Sequence, residues 1–120
     1  MLLLNSTSDL VRLVTGSAAS TIEVHTSYMD VNGTTITPGR TNTRITTAAT
    51  TTIVGSPSAS TTRNVKAIYV TNNSTGTSCN VAVEHTDGTN VIELMQFILL
   101  PGENMGYRED GSWVHRDAQG

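Results

Sequence analysis

The sequence predicts an all-β fold: an antiparallel β-sandwich of jelly-roll-like or immunoglobulin-like type with eight or nine short strands, or a small barrel built from the same pattern. Three observations carry this. Runs rich in Val, Ile and Thr alternate with Asn-Gly, Asp-Gly and Pro-Gly pairs, which suit tight hairpins. No segment of ten or more residues repeats its apolar positions at 3.6-residue spacing, so helix content is expected to be slight. The 120 residues show no fixed-period repeat and suffice for one domain, 1–120, that buries about two thirds of its unfolded surface.

The elements follow in order. Leu2, Leu3 and Leu4 precede a polar Asn5-Ser6-Thr7-Ser8 stretch; three leucines left in water would be sticky, so residues 1–8 are expected to form an N-terminal arm that docks on a neighbouring subunit. Residues 10–15 make a short first strand, turned by Gly16-Ser17-Ala18-Ala19. Over 21–31, Ile22, Val24, Thr26 and Tyr28 share one face while Glu23, His25 and Ser27 share the other, the period of a half-buried strand. Asn32-Gly33 then turns the chain into a short return strand at 34–37, ended by Pro38-Gly39, with 40–44 as a polar connector.

Residues 43–54 are dominated by Thr. β-Branching at nearly every position favours extended backbone over a flexible linker, which makes this a strand with Ile45 and Ile53 facing the core. Residues 55–60 are a loop rich in Gly, Ser and Pro. Strands at 65–72, 79–86, 90–100, 104–108 and 113–115 complete the domain, joined through 73–77, Asp87-Gly88, Pro101-Gly102 and Asp110-Gly111.

Composition narrows the function. Only 14% of residues are charged, against about 25% in an average domain, and the net charge is −3. That balance gives no broad attraction to nucleic acid or to an anionic membrane surface. Residues 1–5 lack the basic start and apolar stretch of an export signal, and the apolar tract 91–100, broken by Glu93 and Gln96, falls far short of the roughly 20 residues of a membrane helix. Cys79 is the one cysteine, so no intrachain disulfide can form, as fits a soluble chain made in a reducing cytoplasm.

The candidate chemistry is sparse. His25, His85 and His115 lie on three different strands, with no second ligand at a metal-binding spacing. Ser78, His85 and Asp87 supply the letters of a hydrolase triad without a nucleophile elbow or an oxyanion turn. Glu109-Asp110 and Asp87-Gly88-Thr89-Asn90 read as turn chemistry, because Asp hydrogen-bonds locally and tolerates turn backbone. Cys79 alternates with Val81 and Val83 and reads as a small core residue. The expectation is a noncatalytic chain with no cofactor and no metal.

One segment points to assembly. Over 91–100, strict alternation puts Ile92, Leu94, Ile98 and Leu100 on one face and Val91, Met95, Phe97 and Leu99 on the other, so both faces of one strand are apolar. A sandwich strand needs only one such face; the second must be covered by the chain's own residues 1–4 or by another subunit. The expected interface is Leu2, Leu3, Leu4, Met95, Phe97 and Leu99, in a homo-oligomer of two or three copies.

Four segments also carry a resemblance: Val14-Thr15-Gly16-Ser17-Ala18-Ala19, Thr37-Pro38-Gly39-Arg40-Thr41-Asn42-Thr43, Arg63-Asn64-Val65-Lys66 and Leu99-Leu100-Pro101-Gly102-Glu103. Together they resemble a group of small virion structural proteins of tailed bacteriophages and prophages. The resemblance implies a noncatalytic β protein, made in the bacterial host cytoplasm and built into the virion in many copies. Its partners would be the major capsid protein, if it decorates and cements the shell at capsomer junctions, or tail proteins, if it forms a ring or anchors fibres. A carbohydrate-binding module for host adhesion is a third reading, with Trp113 and Tyr107 as stacking groups that could equally belong to the core.

Overall fold

The computed structural model describes residues 1–16 and 21–119, so the expected turn at Gly16-Ser17-Ala18-Ala19 lies largely outside the described residues. Ten strands are present among them and no helix: β1 (Leu2–Leu4), β2 (Leu10–Thr15), β3 (Ile22–Asn32), β4 (Thr35–Ile45), β5 (Thr50–Val54), β6 (Thr62–Asn72), β7 (Cys79–Thr86), β8 (Val91–Leu99), β9 (Asn104–Tyr107) and β10 (Trp113–Arg116). They form two antiparallel sheets, one ordered β10-β9-β6-β3-β4 with β1 also on β6, the other ordered β5-β2-β7-β8. The fold is all-β and sandwich-like, drawn out to 47 × 29 × 19 Å.

The core lies between the sheets. Leu13, Val81, Val83 and Leu99 face Ile22, Val24, Ile68, Val70 and Met105, all at most 3% exposed. Period-two alternation sends every second residue of these strands inward, so the pattern that specifies the strands also fills the core. Two buried polar groups cross it. The Thr26 hydroxyl donates to the Ile53 carbonyl across the sheets, and the Asn72 amide donates to the carbonyls of Leu99 and Thr77. The Tyr107 hydroxyl is buried with no partner among the described residues, and burial pushes its pKa up.

Residues 1–8 differ from expectation. Leu2–Leu4 pair with Val65, Asn64 and Arg63 of the same chain, Leu4 is fully buried, and Leu2 packs against the core. The following polar stretch is a turn, closed by Asp9 accepting from the Asn5 amide and the Ser6 hydroxyl. The arm is therefore a strand of its own sheet. It belongs to the sheet opposite β8, and its leucines alternate in and out like those of any edge strand, Leu4 buried and Leu3 exposed.

The middle of the chain also departs. β4 runs unbroken through Pro38-Gly39 and the expected connector, with Met29 opposite Pro38 and Tyr28 opposite Gly39. β4 is an edge strand, where the amide that proline lacks need not be paired. A Cβ on Gly39 would lie 2.5 Å from the Tyr28 ring, so glycine makes room for that ring. The expected strand at 43–54 is two strands, β4 ending at Ile45 and β5 beginning at Thr50, because the chain changes sheets between them.

Candidate functional site

β8 forms one edge of the four-stranded sheet, paired with β7 along Val91–Leu99 and with nothing on its other side among the described residues. A nine-residue edge of roughly 30 Å presents a row of unpaired backbone donors and acceptors. Val91, Ile92, Ile98 and the following Leu100 are all among the exposed large apolar residues, Ile98 at 60%. Glu93 is the one charged residue on the strand.

The expected interface residues separate. Leu99 and Leu4 are fully buried in the core of their own chain, and Met95 and Phe97 pack against it, so they are not a free face. Of the three leucines of the arm, Leu3 is the exposed one. Alternation does place Met95, Phe97 and Leu99 together, but on the inward face, while Gln96 and Ile98 turn outward; strict alternation fails only toward the start of the strand. Val83 pairs with Met95 but Glu84 pairs with Glu93, which leaves Leu94 as an extra residue in a bulge. The bulge lets Leu94 and Met95 both pack on the core and reverses the phase beyond them. The outward apolar group in the regular half of the strand is Ile98, opposite Asn80.

Both ends of β8 are fixed. At its start Asp87 accepts from the amides of Thr89 and Asn90, at 2.9 and 2.7 Å, and these bonds hold its carboxyl below the usual aspartate range. Gly88 takes a positive φ of 94°, as the hairpin requires. At its end the buried Glu103 carboxylate accepts from the Leu100 amide at 2.8 Å and lies 3.2 Å from His115 Nε2. His115 stacks on Phe97 with ring centroids 3.8 Å apart, tying β8 to β10 across the sandwich.

The remaining candidates have ordinary surroundings. His85 lies in register between Val11 and Ile92, His25 is 2.6 Å from the Asn42 side-chain oxygen, and the Asp87 carboxylate is occupied by its own turn. Among the described residues no three His, Cys, Asp or Glu side chains come together as a metal site. No helix is long and apolar enough to cross a membrane. Trp113 and Tyr107 pack in a tilted pair, ring centroids 5.1 Å apart at 54°, Tyr107 in the core and Trp113 packed against it.

Comparison of the chain with protein-family models, curated proteins and solved structures finds no match. The geometry therefore speaks for itself. It presents an apolar edge with unpaired backbone groups, the kind of edge on which another strand can add.

Proposed function

We propose that the chain is a noncatalytic structural subunit of a tailed-bacteriophage particle, a capsid decoration protein that stabilises capsomer junctions, and that it assembles as a homodimer through β8. The observation that supports this most directly is the unguarded β8 edge with Ile98 exposed beside it. The sequence resemblance supplies the particle; the edge supplies a way of joining copies. Residues 95–99, beyond the bulge, are regular enough to pair antiparallel with the same stretch of a second copy. Two-fold pairing of one strand with itself uses one surface twice and closes at two subunits, which selects the dimer over the trimer. It joins two four-stranded sheets into one of eight and gives each Ile98 a cross-strand neighbour on the same face, worth roughly 0.2–1 kcal/mol per pair besides the backbone bonds.

Two experiments test the reading. Gold-labelled antibodies against the chain, applied to intact particles from the producing strain, should decorate the shell. Label confined to the tail would make it a tail or neck component, and unlabelled particles would remove it from the virion. Light scattering of the purified chain should give a dimer, and a monomer up to high concentration would overturn the role of β8.

A further inference from the structure

The outward face of the six-stranded sheet carries a second surface of different character. Register places Asn42, His25, Tyr69, Gly106 and Val114 in one row across β4, β3, β6, β9 and β10, and Arg44, Glu23, Thr71, Asn104 and Arg116 in the next. Tyr69 is 51% exposed in the middle of this face. Its ring lies over Gly106, where a Cβ would come within 3.1 Å of it, so the missing side chain seats the ring against the sheet. The alternation of 65–72 already set Tyr69 opposite in phase to Ile68 and Val70. That signal was available in the sequence.

Two shallow basins flank the ring and share it as a wall. The first, about 420 Å³, is lined by Glu23, His25, Asn42, Arg44 and Thr71. Its charges are already matched, since Arg44 donates to Glu23 at 2.7 Å. The second, about 270 Å³, is lined by Asn104, Gly106, Arg108, Val114 and Arg116. It holds two guanidinium groups and no carboxylate in its wall, and neither arginine is in an ion pair within 4 Å among the described residues; Arg108 is near enough to help lower the pKa of Asp110. With Arg40, opposite Ser27 on the same face, four of the chain's seven Lys and Arg residues gather here, on a protein of net charge −3.

We infer that this face binds a short carboxylate-bearing oligosaccharide, with Tyr69 stacking under a sugar ring and Arg108 and Arg116 receiving the carboxylate. The chemistry fits part by part. An exposed aromatic ring stacks on the apolar face of a pyranose. Planar guanidinium groups recognise carboxylate in bidentate fashion. Asn104, Thr71 and the His25–Asn42 pair supply mixed donors and acceptors of the kind that sugar hydroxyls need. A single-stranded nucleic acid would also use stacking and arginine, but it needs a basic groove that tracks several phosphates. Here the first basin carries a carboxylate and only the second is unmatched. The inference does not depend on β8 or on the particle.

The test is an array of defined neutral and carboxylated oligosaccharides, probed with the whole chain, followed by titration of the best-retained glycan with amide shifts recorded by NMR. Retention should be confined to carboxylated glycans, with shifts centred on Tyr69 and Gly106. Tyr69→Ala should weaken binding at least tenfold, and Arg116→Gln should remove most of the preference for acidic over neutral sugar. Both positions are exposed, and an unchanged circular dichroism spectrum establishes that each variant is folded. No retention anywhere on the array overturns the inference. So does equal retention of neutral glycans, shifts located elsewhere, or tighter binding of a single-stranded oligonucleotide probe.

Discussion

Ile36 on β4 and Ile98 on β8 are each 60% exposed, and each lies on a long edge strand of its sheet, yet the two edges are finished in different ways. β4 carries Pro38, which has no amide to offer, and Arg40 and Arg44, whose charge resists a neighbouring strand. Along β8 there is one charge, Glu93, and one bulge, and the stretch from 95 to 99 has neither. Edge strands that stay solitary are protected by proline, charge or distortion. Exposure of an apolar side chain thus says little until the backbone beside it is considered. One isoleucine sits on a guarded edge, the other on an edge left open.

The largest effect expected from this comparison concerns how β8 is held. Asn72→Ala should destabilise the chain by about 3 kcal/mol, because it removes the bonds to Leu99 and Thr77 and leaves a buried carbonyl unpartnered; chemical denaturation checks it. The next largest is on association. Ile98→Lys should weaken the dimer at least tenfold, about 1.4 kcal/mol, while Ile36→Lys leaves it unchanged, as read by light scattering across a dilution series. Equal responses of the two variants would break the distinction between the edges.

On β4 the guard charges contribute little to folding. Arg44→Ala breaks an exposed pair with Glu23 and should cost under about 1 kcal/mol, measured by thermal melting, with any new tendency to associate marking the loss of a guard. The smallest expected effect is one of acid. The Asp87 pKa is lowered in the fold, so the unfolded chain takes up the proton more readily; the turn into β8 keeps its support above the usual aspartate value of 3.8 and loses it as pH falls through the lowered one. The Asn32-Gly33 turn into β4 contains no carboxylate. Hydrogen exchange of the Thr89 and Asn90 amides should therefore accelerate in that acid window with no matching change at that turn.

Much of the fold was legible because it rests on local chemistry. Gly33, Gly88, Gly102 and Gly111 all take positive φ at the turns their dipeptides announced, and the strands from 65 onward fall where alternation set them. What escaped depends on neighbours. Pro38 ends a strand only if its amide is needed, and whether it is needed depends on β4 having no second partner. The Leu94 bulge follows from how β8 meets β7, and with apolar residues on both faces of the strand nothing local marks the side of Met95, Phe97 and Leu99 as the interior one. β1 was hidden because three leucines look alike whether they pair with β6 or with another molecule.

β10 is only four residues long, and it takes part in both surfaces. Trp113 and His115 point inward, His115 against Phe97 beneath the open edge. Val114 and Arg116 point outward and line the arginine basin. Because consecutive side chains leave a strand on opposite sides, the two sets never compete for the same space. Substitution at 114 or 116 therefore alters the outer face while the support under β8 stays as it is, so the two sides of the strand can vary independently.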